Sequence, residues 1–198
     1  PLFFTIDEKT KKIHGPFKKN EAEDFAKGLI QKNVDNFYLD SNSIVYDCLR
    51  ALDKEYKEND EEFERLLVES VCHKIDEYIS IIKPKNRVFI AFDGVAPVAK
   101  LNQQKNRRYK NQYEDLLFDK KKPWDSASIT AGTNFMNTLS QKIKKSFENL
   151  ENHYGVDSII VSGSDSAGEG EHKMFQHIRE HKTSKSDNVA VYGLDSDL

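Results

Sequence analysis

Four apolar, β-prone runs in this chain each lead into acidic residues, and that arrangement constrains the fold more than any other feature. Phe37-Tyr38-Leu39 precedes Asp40, and Val88-Phe89-Ile90-Ala91-Phe92 precedes Asp93. Ile159-Ile160-Val161 precedes the loop carrying Glu169 and Glu171, and Val189-Ala190-Val191-Tyr192 precedes Asp195 and Asp197. Helical patterns lie between the runs, so the expected fold class is α/β, a mainly parallel, doubly wound sheet flanked by helices. Strands of such a sheet end on one edge, and ligands bind in the crevice there. Carboxylates gathered at one edge repel one another. At ~6 Å and an effective dielectric of ~20, each pair costs about 3 kcal/mol. A chain that keeps this arrangement is expected to fill it with hard divalent cations, which prefer oxygen ligands.

The elements between the runs follow from periodicity. Val45, Cys48, Leu49, Leu52 and Tyr56 recur at helical spacing after a strand at about 34–40. Phe63, Leu66, Leu67, Val71, Ile75, Tyr78, Ile79 and Ile82 form a longer stripe that stops at Lys83-Pro84, where proline disfavours helix in the residue before it. A strand at 86–92, a helix over about 95–110 and a long polar loop at 111–130 are expected next. Phe135, Leu139, Ile143, Phe147 and Leu150 mark another helix, with Thr130 or Thr133 as its N-cap. A strand at 157–162, a helix over about 169–181 and a final strand complete the pattern. Residues 1–33 show no clear period beyond a short helix from Glu21 to Ile30.

The chain has 198 residues, enough for one domain with a real core. Charged residues make up 32% but the net charge is only −3, so a nucleic-acid surface must be a local patch. Cys48 and Cys72 lie in apolar helical patterns without zinc-site spacing, which reads as two reduced thiols in an intracellular protein. No apolar run is long enough to span a bilayer. The chain starts PLFF without Met and ends just after an acidic motif, so both ends read as cut from something longer.

Taken singly, each acidic site has an ordinary explanation. Asp40 before Ser41-Asn42-Ser43 suits a helix N-cap, and Asp93-Gly94 suits a turn. Glu169 and Glu171 suit a helix N-terminus, where the dipole favours acids. They would diverge in a helix interior but can converge in an irregular turn, and Gly168 and Gly170 let the backbone approach a ligand. Asp195 and Asp197 point to one face if extended. Four such sites in one chain favour metal-ion chemistry over coincidence. A basic element follows Asp93. Lys100, Gln104, Arg107 and Arg108 share one helical face, with Lys105 and Lys110 adding charge. Most charge runs are solvated faces. This one begins just past Asp93, and paired guanidiniums suit a phosphate group. Tyr46, one helical turn beyond Asp40, is either core or a platform on which a base stacks.

The runs FYLDSNSIVYDC, VFIAFDGVAPVAKLNQQKNRRYK, SITAGTNFM, SGSDSAGEGEHKMFQHIR and VAVYGLDSDL resemble the amino-terminal nuclease segment of the eukaryotic 5′→3′ exoribonucleases, the Xrn/Rat family. The resemblance covers roughly residues 37–198 and implies that residues 1–198 are the amino-terminal part of an Xrn-type nuclease domain. It implies a PIN/flap-nuclease-like fold, two Mg²⁺ or Mn²⁺ ions, and hydrolysis of single-stranded RNA from a 5′-monophosphate end to 5′-mononucleotides. Carried over, Asp40, Asp93, Glu169, Glu171, Asp195 and Asp197 would be catalytic and bind metal. Lys100, Gln104, Arg107 and Arg108 would hold the 5′-phosphate, and Tyr46 would take the base-stacking place where the family has a histidine. Ala131 and Ala167 stand where prolines are common, Ser196 where alanine is, and the family's core continues beyond this length with further metal-binding aspartates. The rival readings are a structure-specific flap DNA nuclease, a catalytically incomplete RNA-binding relative and a phosphatase built on Asp195 and Asp197.

Overall fold

The computed structural model describes residues 2–7, 12–14, 33–52, 56, 59–98, 124–181 and 187–193, together with residues 100, 102, 105, 106, 109, 110 and 113. The helix expected from Glu21 to Ile30 lies outside the described residues, as do Gln104, Arg107, Arg108, Asp195, Asp197 and most of the loop expected at 111–130.

Among the described residues, six strands form one sheet: β1 (Leu2–Asp7), β2 (Lys12–His14), β3 (Asn36–Asp40), β4 (Arg87–Ala91), β5 (Ser158–Ser162) and β6 (Val189–Gly193), in the spatial order β2-β1-β6-β3-β4-β5. The four strands β6, β3, β4 and β5 are parallel, as the apolar runs predict. Register is tight at the edge that matters: Asp40 lies opposite Ala91, Ala91 opposite Ser162, and Leu39 opposite Tyr192. The chain steps from β3 outward to β4 and β5, then returns to place β6 on the other side of β3. The strand order therefore reverses between β3 and β6, beside the end of β3 that carries Asp40.

The two faces of the sheet separate by the period of two that strands impose. Phe37, Leu39, Val88, Ile90, Ala190 and Tyr192 face the larger core, with helices α1 (Asn42–Leu52), α2 (Asp60–Ile82) and α3 (Asn134–Phe147). Tyr38, Phe89, Ala91 and Val191 face the other side, where Met174 and Ile178 of α5 (Gly170–Glu180) pack on them. A short α4 (Glu151–Tyr154) precedes β5. The sheet is thus covered on both faces, which is why its strands read as continuous apolar runs rather than alternating ones.

Helix boundaries follow local chemistry. Asn59 caps α2 by accepting from the Glu62 amide at 3.1 Å, and Asp60, Glu61 and Glu62 fill the first turn, where the dipole favours negative charge. The predicted stripe lies on the buried face, with Leu66 half-buried. The helix ends at Lys83, whose backbone is left-handed (φ 51°) and whose amide bonds Ile79 O, one residue before Pro84. Of the two threonines proposed as the cap of α3, Thr133 fills the place, accepting from the Met136 amide, while Thr130 bonds Ala127 O. Cys48 is buried and Cys72 half-buried, both as free thiols. Among the described residues no helix is long and apolar enough to cross a membrane.

Strands β1 and β2 were not legible in sequence. β1 pairs antiparallel with both β2 and β6, so residues read as patternless extend the parallel sheet on its β6 side. Three residues in β2 are too few to show a period, and β1 begins LFF without alternation.

On the α5 face an aromatic ladder runs from the sheet outward. Tyr38 O–H lies 3.2 Å from His177 Nδ1, the His177 ring centroid 4.6 Å from that of Phe89, and His181 stacks on His177 at 4.1 Å. Burial holds His177 down to about 4, with the His181 ring and Arg87 acting in the same direction and Glu180 against it. The unfolded chain, with His177 near 6.5, therefore takes the proton first. Stability from this group is complete above about pH 6.5 and is lost as pH falls towards about 4. Discounted for solvent screening, the loss amounts to about 1–2 kcal/mol. Thermal melts between pH 7 and 4.5 should show the decline, and His177→Phe should flatten it; an unchanged slope in the variant would exclude His177 as its source.

Candidate functional site

Gly170 is the point at which four of the six acidic residues meet. It opens α5 between Glu169 and Glu171, and its amide donates to Asp93 Oδ1 at 2.7 Å. A Cβ placed on Gly170 would fall 2.7 Å from Asp40 Oδ1 and 3.5 Å from Asp93 Oδ1. Asp40 ends β3, Asp93 lies two residues past β4, and the two strands are paired side by side. Glu169 is extended (φ −74°, ψ 153°), while Glu171 sits in the first helical turn. That change of backbone at Gly170 turns the two glutamates towards each other. One ligand atom each from Glu169, Glu171 and His172 lie within 4.8 Å of one another. His172 Nδ1 is 3.4 Å from Glu169 Oε2 and 3.7 Å from Glu171 Oε1.

The loop between β5 and α5 is held against the β4 end by backbone contacts. Gly94 N–H donates to Gly168 O at 2.8 Å, and Gly168 N–H donates to Val95 O at 3.1 Å. A Cβ on Gly94 would sit 1.7 Å from Ser166 O, so only glycine allows the two segments this close. Gly168 itself has φ 98°, a conformation that glycine tolerates without strain. Further back, Ser140 Oγ accepts from the Ser164 amide at 3.0 Å, and Ser164 Oγ donates to Met136 O, fastening the loop's first turn to α3.

Asp93 is held from several sides. Asn42 donates through Nδ2 to Asp93 Oδ2 at 2.7 Å and accepts from the Asp93 amide through Oδ1 at 3.1 Å. Burial pushes the Asp93 carboxyl up; the Gly170 amide, the Lys173 ammonium and Asn42 pull it down, and Glu169 pushes it up. Lys173, on the first turns of α5, is buried and donates from Nζ to Phe92 O and Gly163 O, each at 2.8 Å. Burial presses Lys173 down to about 8, with Asp93 and Asp165 opposing the shift. Sequence reading missed both residues. Asn42 stands two residues after Asp40 in a stretch that reads as a helix start, and a lysine in EHKM gives no signal that it is buried.

Lys100 is helical, like the other described residues between 98 and 113, and its Nζ donates to Glu169 Oε2 at 2.6 Å. Lys100, the first residue of the expected basic face, thus meets the acidic edge at Glu169; Gln104, Arg107 and Arg108 lie outside the described residues. Tyr46 is 38% exposed on α1, whereas its neighbours Ile44, Val45 and Cys48 are buried. It is not a core residue, which removes the more ordinary of its two readings.

Oxygen donors flank Gly170 in two groups: Glu169 and Glu171, gathered with His172, and Asp40 and Asp93, whose Oδ1 atoms would lie 2.7 Å and 3.5 Å from a Cβ on Gly170; carboxylate oxygens of this kind suit a hard divalent cation. The glycines make a ranked prediction. Gly94→Ala meets a backbone carbonyl and should destabilise most. Gly170→Ala meets a side-chain oxygen that can rotate, and should cost about 1–3 kcal/mol. Gly155→Ala meets nothing within 4 Å and bears only its φ of 69°, costing about 1 kcal/mol. Urea unfolding of the three variants checks the order; Gly155→Ala emerging as the most damaging would contradict it.

Comparison with known proteins places these residues in a wider set. Residues 1–198 match the family model described as the XRN 5′-3′ exonuclease N-terminus. The chain is 34% identical to 5′-3′ exoribonuclease 2 of Schizosaccharomyces pombe, over 83% of this chain and 19% of that protein. It is 36% identical to 5′-3′ exoribonuclease 1 of Saccharomyces cerevisiae (83% of this chain, 12% of the relative) and 34% identical to 5′-3′ exoribonuclease 1 of Homo sapiens (83% and 11%). The chain spans under a fifth of the length of these curated relatives.

Proposed function

The chain belongs to the family of the XRN 5′-3′ exonuclease N-terminus, and from that premise we propose that it forms part of the active site of a metal-dependent 5′→3′ exoribonuclease. The substrate is single-stranded RNA with a 5′-monophosphate, and the products are 5′-mononucleotides. The observation that carries this reading is the convergence of Asp40, Asp93, Glu169 and Glu171 around Gly170 at the carboxyl edge of a parallel sheet, with Lys100 reaching the same place. Asp195 and Asp197, which follow β6 in sequence and lie outside the described residues, would complete the carboxylate set.

Two Mg²⁺ or Mn²⁺ ions, when bound, would supply an activated water and stabilise the leaving 3′-oxygen and the charge developing on phosphorus. The chain's own residues do the rest. Asn42 and the Gly170 amide aim Asp93 and offset part of the upward push that burial gives its carboxyl. Lys100, Gln104, Arg107 and Arg108 grip the terminal phosphate, which sets the scissile bond one nucleotide inward, over the carboxylates. Tyr46 stacks on the first base from the exposed side of α1. No side chain acts as a nucleophile. The reduced thiols Cys48 and Cys72 fit an intracellular setting.

The test is turnover of 3′-labelled single-stranded RNA by the full-length protein with Mg²⁺, comparing 5′-monophosphate, 5′-hydroxyl and 5′-triphosphate ends. Mononucleotides should appear from the monophosphate RNA alone. Asp93→Asn should reduce the rate by at least about 100-fold, the scale seen when charge stabilisation is removed from a site. Arg107→Ala should erase the preference for the monophosphate, and RNA affinity should fall linearly on a log–log plot against salt. Cleavage of branched DNA in preference to RNA would instead identify a flap nuclease. RNA binding without cleavage by the full-length protein would identify a catalytically incomplete relative.

A further inference from the structure

Among the described residues, Lys173 is the one buried charged side chain near the acidic edge that the mechanism above leaves without a role. It is 8% exposed, one helical turn after Glu169, and its amide bonds Glu169 O at 3.1 Å. Its Nζ reaches two carbonyls on neighbouring strands. Phe92 O belongs to the residue immediately before Asp93, and Gly163 O belongs to the residue immediately after β5. Both carbonyls lie where the sheet's own hydrogen bonding is running out, and the Phe92 amide has already turned to Ser162 O. Burying an ammonium costs far more than burying a methylene chain of the same length. A tie between two carbonyls alone could be made by a neutral donor. What distinguishes this place is the surrounding charge: Asp93 follows directly, and Asp40, Glu169 and Glu171 converge on the next turn of backbone.

Resting on the metal-site reading above, we propose that Lys173 is a positioning residue that assembles the carboxylate cluster before any divalent cation binds. Its two hydrogen bonds lock the end of β4 to the end of β5, which fixes Asp93 against the loop that presents Glu169 and Glu171. Its fixed positive charge, within the protein and beneath the cluster, offsets the mutual repulsion of the carboxylates. The cation then enters a site already in register instead of having to gather it. Lys173 differs in this from Lys100, which approaches from the exposed side at Glu169 and belongs to the phosphate-binding face.

The test reads Mn²⁺ binding to the full-length protein by electron paramagnetic resonance, independently of RNA cleavage. Lys173→Met keeps the apolar stem and removes charge and donors. Lys173→Gln keeps a donor and removes the charge. Ile178→Ala loosens the same helix about one and a half turns further on, where it packs against Tyr38, Phe89 and Val191, and leaves Lys173 in place. Lys173→Met should weaken Mn²⁺ binding about 10–100-fold, the range expected when a residue that orients metal ligands is lost. Lys173→Gln should fall between it and wild type. Ile178→Ala should stay within about twofold of wild type even where its melting temperature drops as far. Unchanged binding in Lys173→Met, or an equal loss in Ile178→Ala, would overturn the proposal. So would failure of both Lys173 variants to fold while Ile178→Ala folds, since Lys173 would then be a general structural clamp. A wild-type protein that binds no Mn²⁺ at all would overturn the metal reading itself, and this inference with it.

Discussion

The contact between the Gly170 amide and Asp93 Oδ1, 2.7 Å long, is the constraint on which the rest of the site depends. It joins the start of α5 to the end of β4, two elements far apart in sequence. The absence of a side chain at position 170 eases it, since a Cβ there would fall 2.7 Å from Asp40 Oδ1 and push that carboxylate aside. The hydrogen bond also sets the direction of α5. With its first amide committed to Asp93, the helix lies across β3 and β4 and buries Met174 and Ile178 against Tyr38, Phe89 and Val191. Packing on one face of the sheet and charge at its edge are therefore fixed by the same few atoms.

Why the carboxylates crowd so closely follows from the sheet. Parallel strands in register end together, so Asp40 on β3 and Asp93 just after β4 cannot avoid each other. The cost of that proximity falls on the surroundings. Asn42 gives Asp93 both a donor and an acceptor, Lys100 donates to Glu169, and Lys173 is tied to the carbonyl of Phe92, the residue before Asp93. The cluster is thus surrounded by groups that stabilise ionised carboxylates, which a merely structural turn would not require.

Much of this was legible in the sequence, and for a physical reason. Strands β3, β4 and β6 are largely buried and β5 is half-buried along its length, so each reads as an apolar run that ends ahead of a charged segment. The stripe from Phe63 to Ile82 and the Lys83-Pro84 stop placed α2 within three residues at its start and at its end without error. What escaped were relations that no local pattern records. β1 and β2 join the sheet by backbone pairing alone, as far as periodicity is concerned. Asn42 and Lys173 matter because of where their tips arrive, and a helical lysine usually points to water. Tyr46 needed the structure to show that it faces outward.

The strand order has a consequence for how the molecule comes into being. β6, the last of the described strands, is inserted between β1, the first of them, and β3. Phe3 pairs with Tyr192, and Leu39 pairs with the same residue from the other side. During synthesis the amino-terminal hairpin and the β3–β4–β5 sheet must therefore wait, separated by an open slot, until nearly the whole segment has left the ribosome. Pairings of such long sequence separation form late and slowly, because the entropy of closing the chain must be met before any contact rewards it. The nascent chain would expose β3's unpaired edge throughout that interval, and it is there, rather than in the finished fold, that this segment would have most need of a chaperone.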